Sequence, residues 1–314
     1  MKNLYIVLLF VMPSYFVFGQ TKSNIIVDEL NAWSNTVDGI KDIAPCTIVA
    51  EDDNAKKDVL GATYFQLNSF ESSKIWDVHN GAYRLKLPYE GKTINVLLYE
   101  STQNNVPVST PTVSNIKVDQ GKSFRGIIEN DPTSVVGISF FRNGDIYGII
   151  SSKSIGNIVI APLLNQPKNV EPTYIIYNDQ KLKVGNPFTC ASADQIPEED
   201  GLIDLIGELR GQNVDINKCV RVGFLVSYPM YSTRFGSNST TATNYVRALS
   251  NNMGAIYALH NVHQKIGDIY IFNTAASDTF NYSSTITALE SFGWSLPANY
   301  MPNSDLFHLL HPGM

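Results

Sequence analysis

Val135-Val-Gly-Ile-Ser-Phe-Phe141, Arg142-Asn-Gly-Asp145 and Ile146-Tyr-Gly-Ile-Ile150 read as two β-type runs joined by four turn residues. Asn143-Gly144 is the strongest short hairpin signal a sequence offers, so the runs are expected to pair antiparallel. Working outward, Ile94-Asn-Val-Leu-Leu-Tyr99, Gly126-Ile-Ile128 and Asn157-Ile-Val-Ile160 repeat the same short apolar pattern between turn residues. The first region is expected to be predominantly antiparallel sheet.

After Cys219 the pattern changes. Val220 to Val226 is extended, and Ser239-Thr-Thr opens a helical stretch in which Tyr245, Leu249, Met253, Ile256 and His260 recur three or four residues apart. That spacing predicts one buried helix face. Gly254 weakens such a helix by about 1 kcal/mol, too little to overrule the pattern. Ile266 to Phe272 reads as a second strand, and Ser283 to Trp294 as a second helix capped at Ser283-Ser284. Strands alternating with helices imply a helix-covered, largely parallel sheet. The fold class expected is therefore α+β, a β-rich antiparallel region followed by an α/β unit ordered strand, helix, strand, helix.

Between them lies an acidic segment punctuated by Pro197 and Gly201, with Asp194, Glu198, Glu199, Asp200 and Asp204. It reads as an exposed connector open to proteolysis, interrupted by a short helix near Leu202 to Leu209. Residues Met1 to Gly19 carry Lys2, an apolar core from Leu4 to Val11 and small residues Val17 and Gly19, the pattern of a cleaved secretory signal. Pro13 and Ser14 interrupt a run already short of the ~20 residues a spanning helix needs. The division expected is 1–19 signal peptide, 20–192 β-rich region, 193–217 connector and 218–314 α/β region. Twenty-three basic against 29 acidic residues give a net charge of −6. Without a basic cluster, no nucleic-acid partner is expected, and no membrane partner after signal cleavage.

Phe124-Arg-Gly-Ile-Ile-Glu-Asn-Asp-Pro132, Ser134-Val-Val-Gly-Ile-Ser-Phe-Phe141, Gly148-Ile-Ile-Ser-Ser152, Tyr174-Ile-Ile-Tyr-Asn-Asp179 and Phe188-Thr-Cys190 together resemble the pro-domain of reprolysin-like (adamalysin-type) metzincin proteases, especially bacterial secreted ones. Cys219-Val-Arg-Val222, Asn244-Tyr-Val246, Ile269-Tyr-Ile-Phe272 and Asp305-Leu-Phe-His-Leu-Leu310 look like the first half of the catalytic domain of that family. The resemblance implies a zinc metalloendopeptidase zymogen acting on protein or peptide substrates. In the family, the HExxHxxGxxH motif supplies three histidines to one zinc and a glutamate to its bound water. These 314 residues contain no such motif. The expectation is a chain cut off before the zinc-binding motif, inactive by itself, binding no zinc and holding no catalytic or metal-ligating residue. Ser227-Tyr228-Pro229 stands where many relatives have an acidic residue and tyrosine, which weakens the case for calcium there.

By the same resemblance Cys190 is the inhibitory switch candidate, its thiolate occupying the fourth zinc position; Ala191 follows it where relatives commonly have glycine. The three cysteines, Cys46, Cys190 and Cys219, are an odd number for an exported protein, so one lacks a partner within the chain. Cys46 and Cys219 are disulfide candidates, with Cys190 as a possible partner of either; Cys219 reads equally as a plain buried thiol. His308 with His311, and His260 with His263, stand three apart, but neither pair has a visible third ligand and ordinary packing or surface roles are the simpler reading. His79 is isolated. Asn238-Ser-Thr240 and Asn281-Tyr-Ser283 match the glycosylation pattern but read as a helix approach and a loop. No Gly-x-Ser-x-Gly elbow, phosphate loop or Cys-x-x-Cys occurs. A second functional reading is a pro-domain-like inhibitory module that binds the catalytic domain of a related metalloprotease.

Overall fold

The computed structural model describes residues 24–34, 40–50, 59–77, 82–102, 106–119, 121–163, 171–183, 219–280, 282–294 and 297–312. The signal-like segment, the acidic connector and the short helix expected in it, His79, Cys190 and Asn281 lie outside the described residues.

The fold is α+β, built on two sheets. The first has ten strands: β1 (Ile40–Ile43), β2 (Cys46–Ile48), β3 (Thr63–Leu67), β4 (Ala82–Tyr89), β5 (Lys92–Glu100), β7 (Lys122–Ile128), β8 (Asp131–Phe140), β9 (Ile146–Ser152), β10 (Gly156–Pro162) and β11 (Thr173–Asn178), ordered β1-β4-β5-β7-β8-β9-β10-β11-β3-β2. All neighbours are antiparallel except β1 with β4. The β8–β9 hairpin turns at Asn143-Gly144, where Gly144 takes φ +93°, a conformation that favours glycine. The sheet curls, and its inner face closes over one apolar cluster including Phe65, Leu85, Leu98, Phe124, Ile138, Ile150 and Tyr174.

The second sheet is parallel. β12 (Cys219–Val226) lies between β13 (His263–Ile271) and β14 (Leu306–Leu310). Its fourth strand comes from the first region: β6 (Val108–Ser109) pairs parallel with β13 through Val108↔Ile269 and Tyr270↔Ser109. The Ile269 amide donates to Pro107 O at 2.9 Å, and the Ile116 amide to Val108 O at 2.7 Å. Val108 is 1% exposed and joins the core of the second sheet. A segment of the β-rich region is thus hydrogen-bonded into the α/β unit.

Among the described residues five α-helices dress the sheets: α1 (Ile25–Ser34), α2 (Ser69–Asp77), α3 (Tyr228–Thr233), α4 (Ser239–Ala258) and α5 (Thr285–Trp294). Asn238 caps α4, its Oδ1 accepting from the amides of Thr240 and Thr241, which is the helix approach expected of that segment. Ser284 caps α5 through the Thr287 amide, as the sequence suggested. Phe292 of α5 packs in one apolar cluster with Leu225 of β12 and with Phe272, Phe280 and Met301.

The long helix corrects the sequence reading. Tyr245, Leu249 and Met253 are partly buried against the parallel sheet, but Ile256 is 44% exposed and His260 lies in the turn beyond the helix. The fully buried positions include Asn244, Arg247, Ala248, Ser250, Asn251, Gly254, Ala255 and Ala258. α4 is enclosed from two sides, by β13 on one and by β7, β8 and β9 on the other, so an apolar-stripe count saw only part of its burial. The second side is polar. The Asn251 side chain donates to Phe124 O, Ile138 O and Ser139 Oγ and accepts from Ser101 Oγ and Arg125 Nε. Arg125 Nη2 occupies the place beside Gly254 where a Cβ would stand 2.1 Å away, so that glycine serves close approach.

Candidate functional site

In an open parallel sheet, ligand sites form beyond the carboxyl ends of the strands, where loops from several strands converge. Here those ends bring together Ser227 after β12, Asp278 and Tyr282 in the loop after β13, and His311 after β14. Ser227 caps α3, accepting from the Met230 amide at 3.3 Å, and its Oγ lies 3.0 Å from His311 Nδ1. The Tyr282 ring stacks on the His311 imidazole with centroids 4.0 Å apart and planes 12° from parallel. Asp278 fixes the tyrosine: its two carboxylate oxygens accept from the Tyr282 hydroxyl at 2.9 and 3.0 Å, and Oδ2 accepts from the Tyr228 amide at 2.7 Å.

The electrostatics follow from this packing. Burial, then the neighbouring Asp278 carboxylate, raise the Tyr282 hydroxyl above its usual range, so it stays protonated and donates. Burial lowers the His311 imidazole from its ordinary value, and Asp278 pulls the other way. The cluster can exchange a proton at His311. It is not a nucleophile site: Ser227 has no exposed surface and its oxygen is already engaged by the cap and the imidazole.

The other sequence candidates separate. His308 stands in β14 with its ring tilted against Phe224, while His311 turns to Ser227, so the pair does not converge. His260 and His263 flank the turn between α4 and β13, both exposed, rather than sharing a helix face. Cys46 and Cys219 are free thiols. Cys46, in β2, has its thiol pushed up to about 12 by burial, which keeps it protonated and unreactive. Cys219 opens β12, half-buried, opposite His263. Among the described residues no group of three His, Cys, Asp or Glu side chains could hold a metal ion. The described residues therefore do not fit the zinc that the metzincin resemblance implies, and no chemical step is assigned through it.

Two features escaped the sequence reading. The Ser227–His311 contact joins residues 84 apart and has no local signature. At the start of the same strand pair, Asp305 grips Arg221 with Oδ1 2.6 Å from Nη2 and Oδ2 3.1 Å from Nε, a bidentate pair across β12 and β14. Among the described residues no helix is long and apolar enough to cross a membrane. No family model matches the chain, and no curated protein matches it.

Proposed function

We propose that this chain is the zymogen portion of a secreted, reprolysin-like metzincin, in which the β-rich region acts in cis as a folding clamp for the α/β unit. The observation that carries the reading is the join between the two: β6 completes the parallel sheet, and α4 is buried between both sheets. Three strands, β13-β12-β14, all parallel and crossed by α4, are consistent with the opening half of a metzincin catalytic domain. A pro-region built to leave its partner intact would not contribute a strand to its sheet. The clamp therefore favours action on its own chain over inhibition of a separate protease through Cys190.

In the family the metal activates the water that cleaves the peptide bond. The 314 residues lack the HExxHxxGxxH motif, so hydrolysis is not assigned to them. Their role is to hold the sheet, exclude water from α4, and present the loop ends at Ser227 and His311.

The test places a specific protease site in the connector between residues 193 and 217 of the full chain. After cleavage the two pieces should co-elute and melt together, and neither zinc nor chelator should change turnover of a quenched-fluorescent peptide. Separation of the pieces with a folded 219–314 fragment would overturn the clamp. Zinc at one equivalent with chelator-sensitive hydrolysis by this chain would overturn the assignment of these residues as scaffold.

A further inference from the structure

Between β7 and α4 lies a cavity of about 10 Å³, lined by Ser101, Thr102 and Ser123 from the large sheet's side, by Arg247, Ser250 and Asn251 from α4, and by Ile266 from β13. That is room for one water-sized body. The groups around it are mostly donors. Arg247 is 6% exposed; one terminal nitrogen donates to Asp119 O at 2.8 Å, but its Nε is buried without a hydrogen-bond partner. Thr102 Oγ1 accepts from the Ser123 amide and Ser250 Oγ accepts from Gln264 Nε2, so each hydroxyl hydrogen is left to point elsewhere. The one side-chain carbonyl oxygen among the lining residues, Asn251 Oδ1, is already taken by Ser101 and Arg125.

Charge points the same way. Arg125 and Arg247 both enter this layer, and burial holds both guanidiniums below their usual range, Arg247 at about 10. Both stay cationic at neutral pH. The described hydrogen bonds of both guanidiniums go to amide-type oxygens, Asn251 Oδ1 and Asp119 O, and none to a carboxylate; Asp119 acts on Arg247 only at longer range. A buried cation without a paired anion costs several kcal/mol. We infer that this cavity is an anion site that takes one small monoatomic anion, chloride in ordinary salt, held by Arg247 Nε–H and the Thr102 and Ser250 hydroxyls. A water could fill the volume and accept two of these hydrogen bonds, but it would bring no charge to offset the guanidiniums.

Because the lining comes from residues 101–123 and from α4, the anion would bridge the β-rich region to the α/β unit. The inference stands on the cavity and its donors, independent of the family reading. The test uses the full chain with sodium chloride, bromide or gluconate at constant ionic strength. The melting midpoint should rise with chloride and bromide, saturating as a single site, and gluconate should give no rise. Arg247→Gln should weaken the apparent halide affinity at least tenfold, and Ser250→Ala, which keeps the arginine, should weaken it severalfold. In bromide-grown crystals an anomalous peak should lie beside Arg247 Nε. A halide-independent midpoint, or a water-like peak with no anomalous signal there, would overturn the inference whether or not the Arg247 variant folds.

Discussion

Asn251→Ala should be among the most damaging single changes in the molecule, although it removes no apolar contact of note. Asn251 is 3% exposed and sits where α4 meets the large sheet. Its Nδ2 has two hydrogens for three acceptors, Phe124 O, Ile138 O and Ser139 Oγ, and its Oδ1 accepts twice, once from the Arg125 guanidinium. A neutral hydrogen bond contributes about 0.5–1.5 kcal/mol and one to a charged group about 1.5–3 kcal/mol. Four bonds' worth, one of them charged, gives a net loss of about 3–5 kcal/mol once neighbours relax, a large share of the ~5–15 kcal/mol of a typical domain. The midpoint in a thermal melt should fall by about 10 °C. Asn252 is the internal control: its side-chain oxygen is buried without a partner, so Asn252→Ala should cost under about 1 kcal/mol. Asn251→Asp keeps the Arg125 bond but aims carboxylate oxygens at two carbonyls; it should be as damaging at pH 7 and partly recover on acidification. Urea titrations of the three variants decide it. If Asn251→Ala loses under about 1 kcal/mol, or no more than Asn252→Ala, the polar seam is not what binds helix to sheet.

Gly254→Ala should destabilise by about 1–3 kcal/mol despite a helix-propensity gain of about 1 kcal/mol, because the new Cβ meets Arg125 Nη2 at 2.1 Å; a stabilised variant would refute the close-approach argument. The Arg221 guanidinium holds the Asp305 carboxyl down to about 2. That contribution is complete above the unfolded value near 4 and is lost as pH falls through about 2, so a carbon-detected NMR titration should place Asp305 well below the ordinary aspartate range, and Arg221→Gln should return it to that range. His311 is also depressed, so it favours the fold when neutral and its contribution fades as pH falls below about 6.5; a proton titration placing His311 above the ordinary histidine range would contradict the stacking geometry. Cys46 should resist a thiol-specific reagent in the native protein and react on unfolding, whereas rapid native labelling at Cys46 would show that β2 opens.

What could be read in advance was the local grammar. The Asn143-Gly144 hairpin, the β-runs around it, the alternation after Cys219 and the Asn238 and Ser284 helix starts all depend on neighbours a few residues apart, and all are in the structure. What was hidden depends on partners far along the chain. Val108-Ser109 is too short to announce a strand, and its pairing with Ile269 and Tyr270 has no local cue. The polar face of α4 looked like a solvent face because Asn244, Arg247 and Asn251 are hydrophilic, yet their acceptors lie on Asn143, Asp119 and the β7–β8 pair. A cue existed: Asn251 and Gly254 stand three apart on the side opposite the apolar stripe, where a glycine and an amide can admit another chain segment. Of the candidate site, Ser227, His308 and His311 could be named from the sequence, but not that Ser227 and His311 would meet while His308 would turn away.

The β6 insertion also sets an order of events. Val108 emerges from the ribosome about 160 residues before Ile269, its hydrogen-bonded neighbour, and contacts of such separation close slowly. Until β13 is made, Val108 has no apolar bed and the outer face of β8 no helix to cover it, so a half-made chain is sticky. Folding of this chain is therefore expected to wait for its later strands rather than to proceed piece by piece from the first.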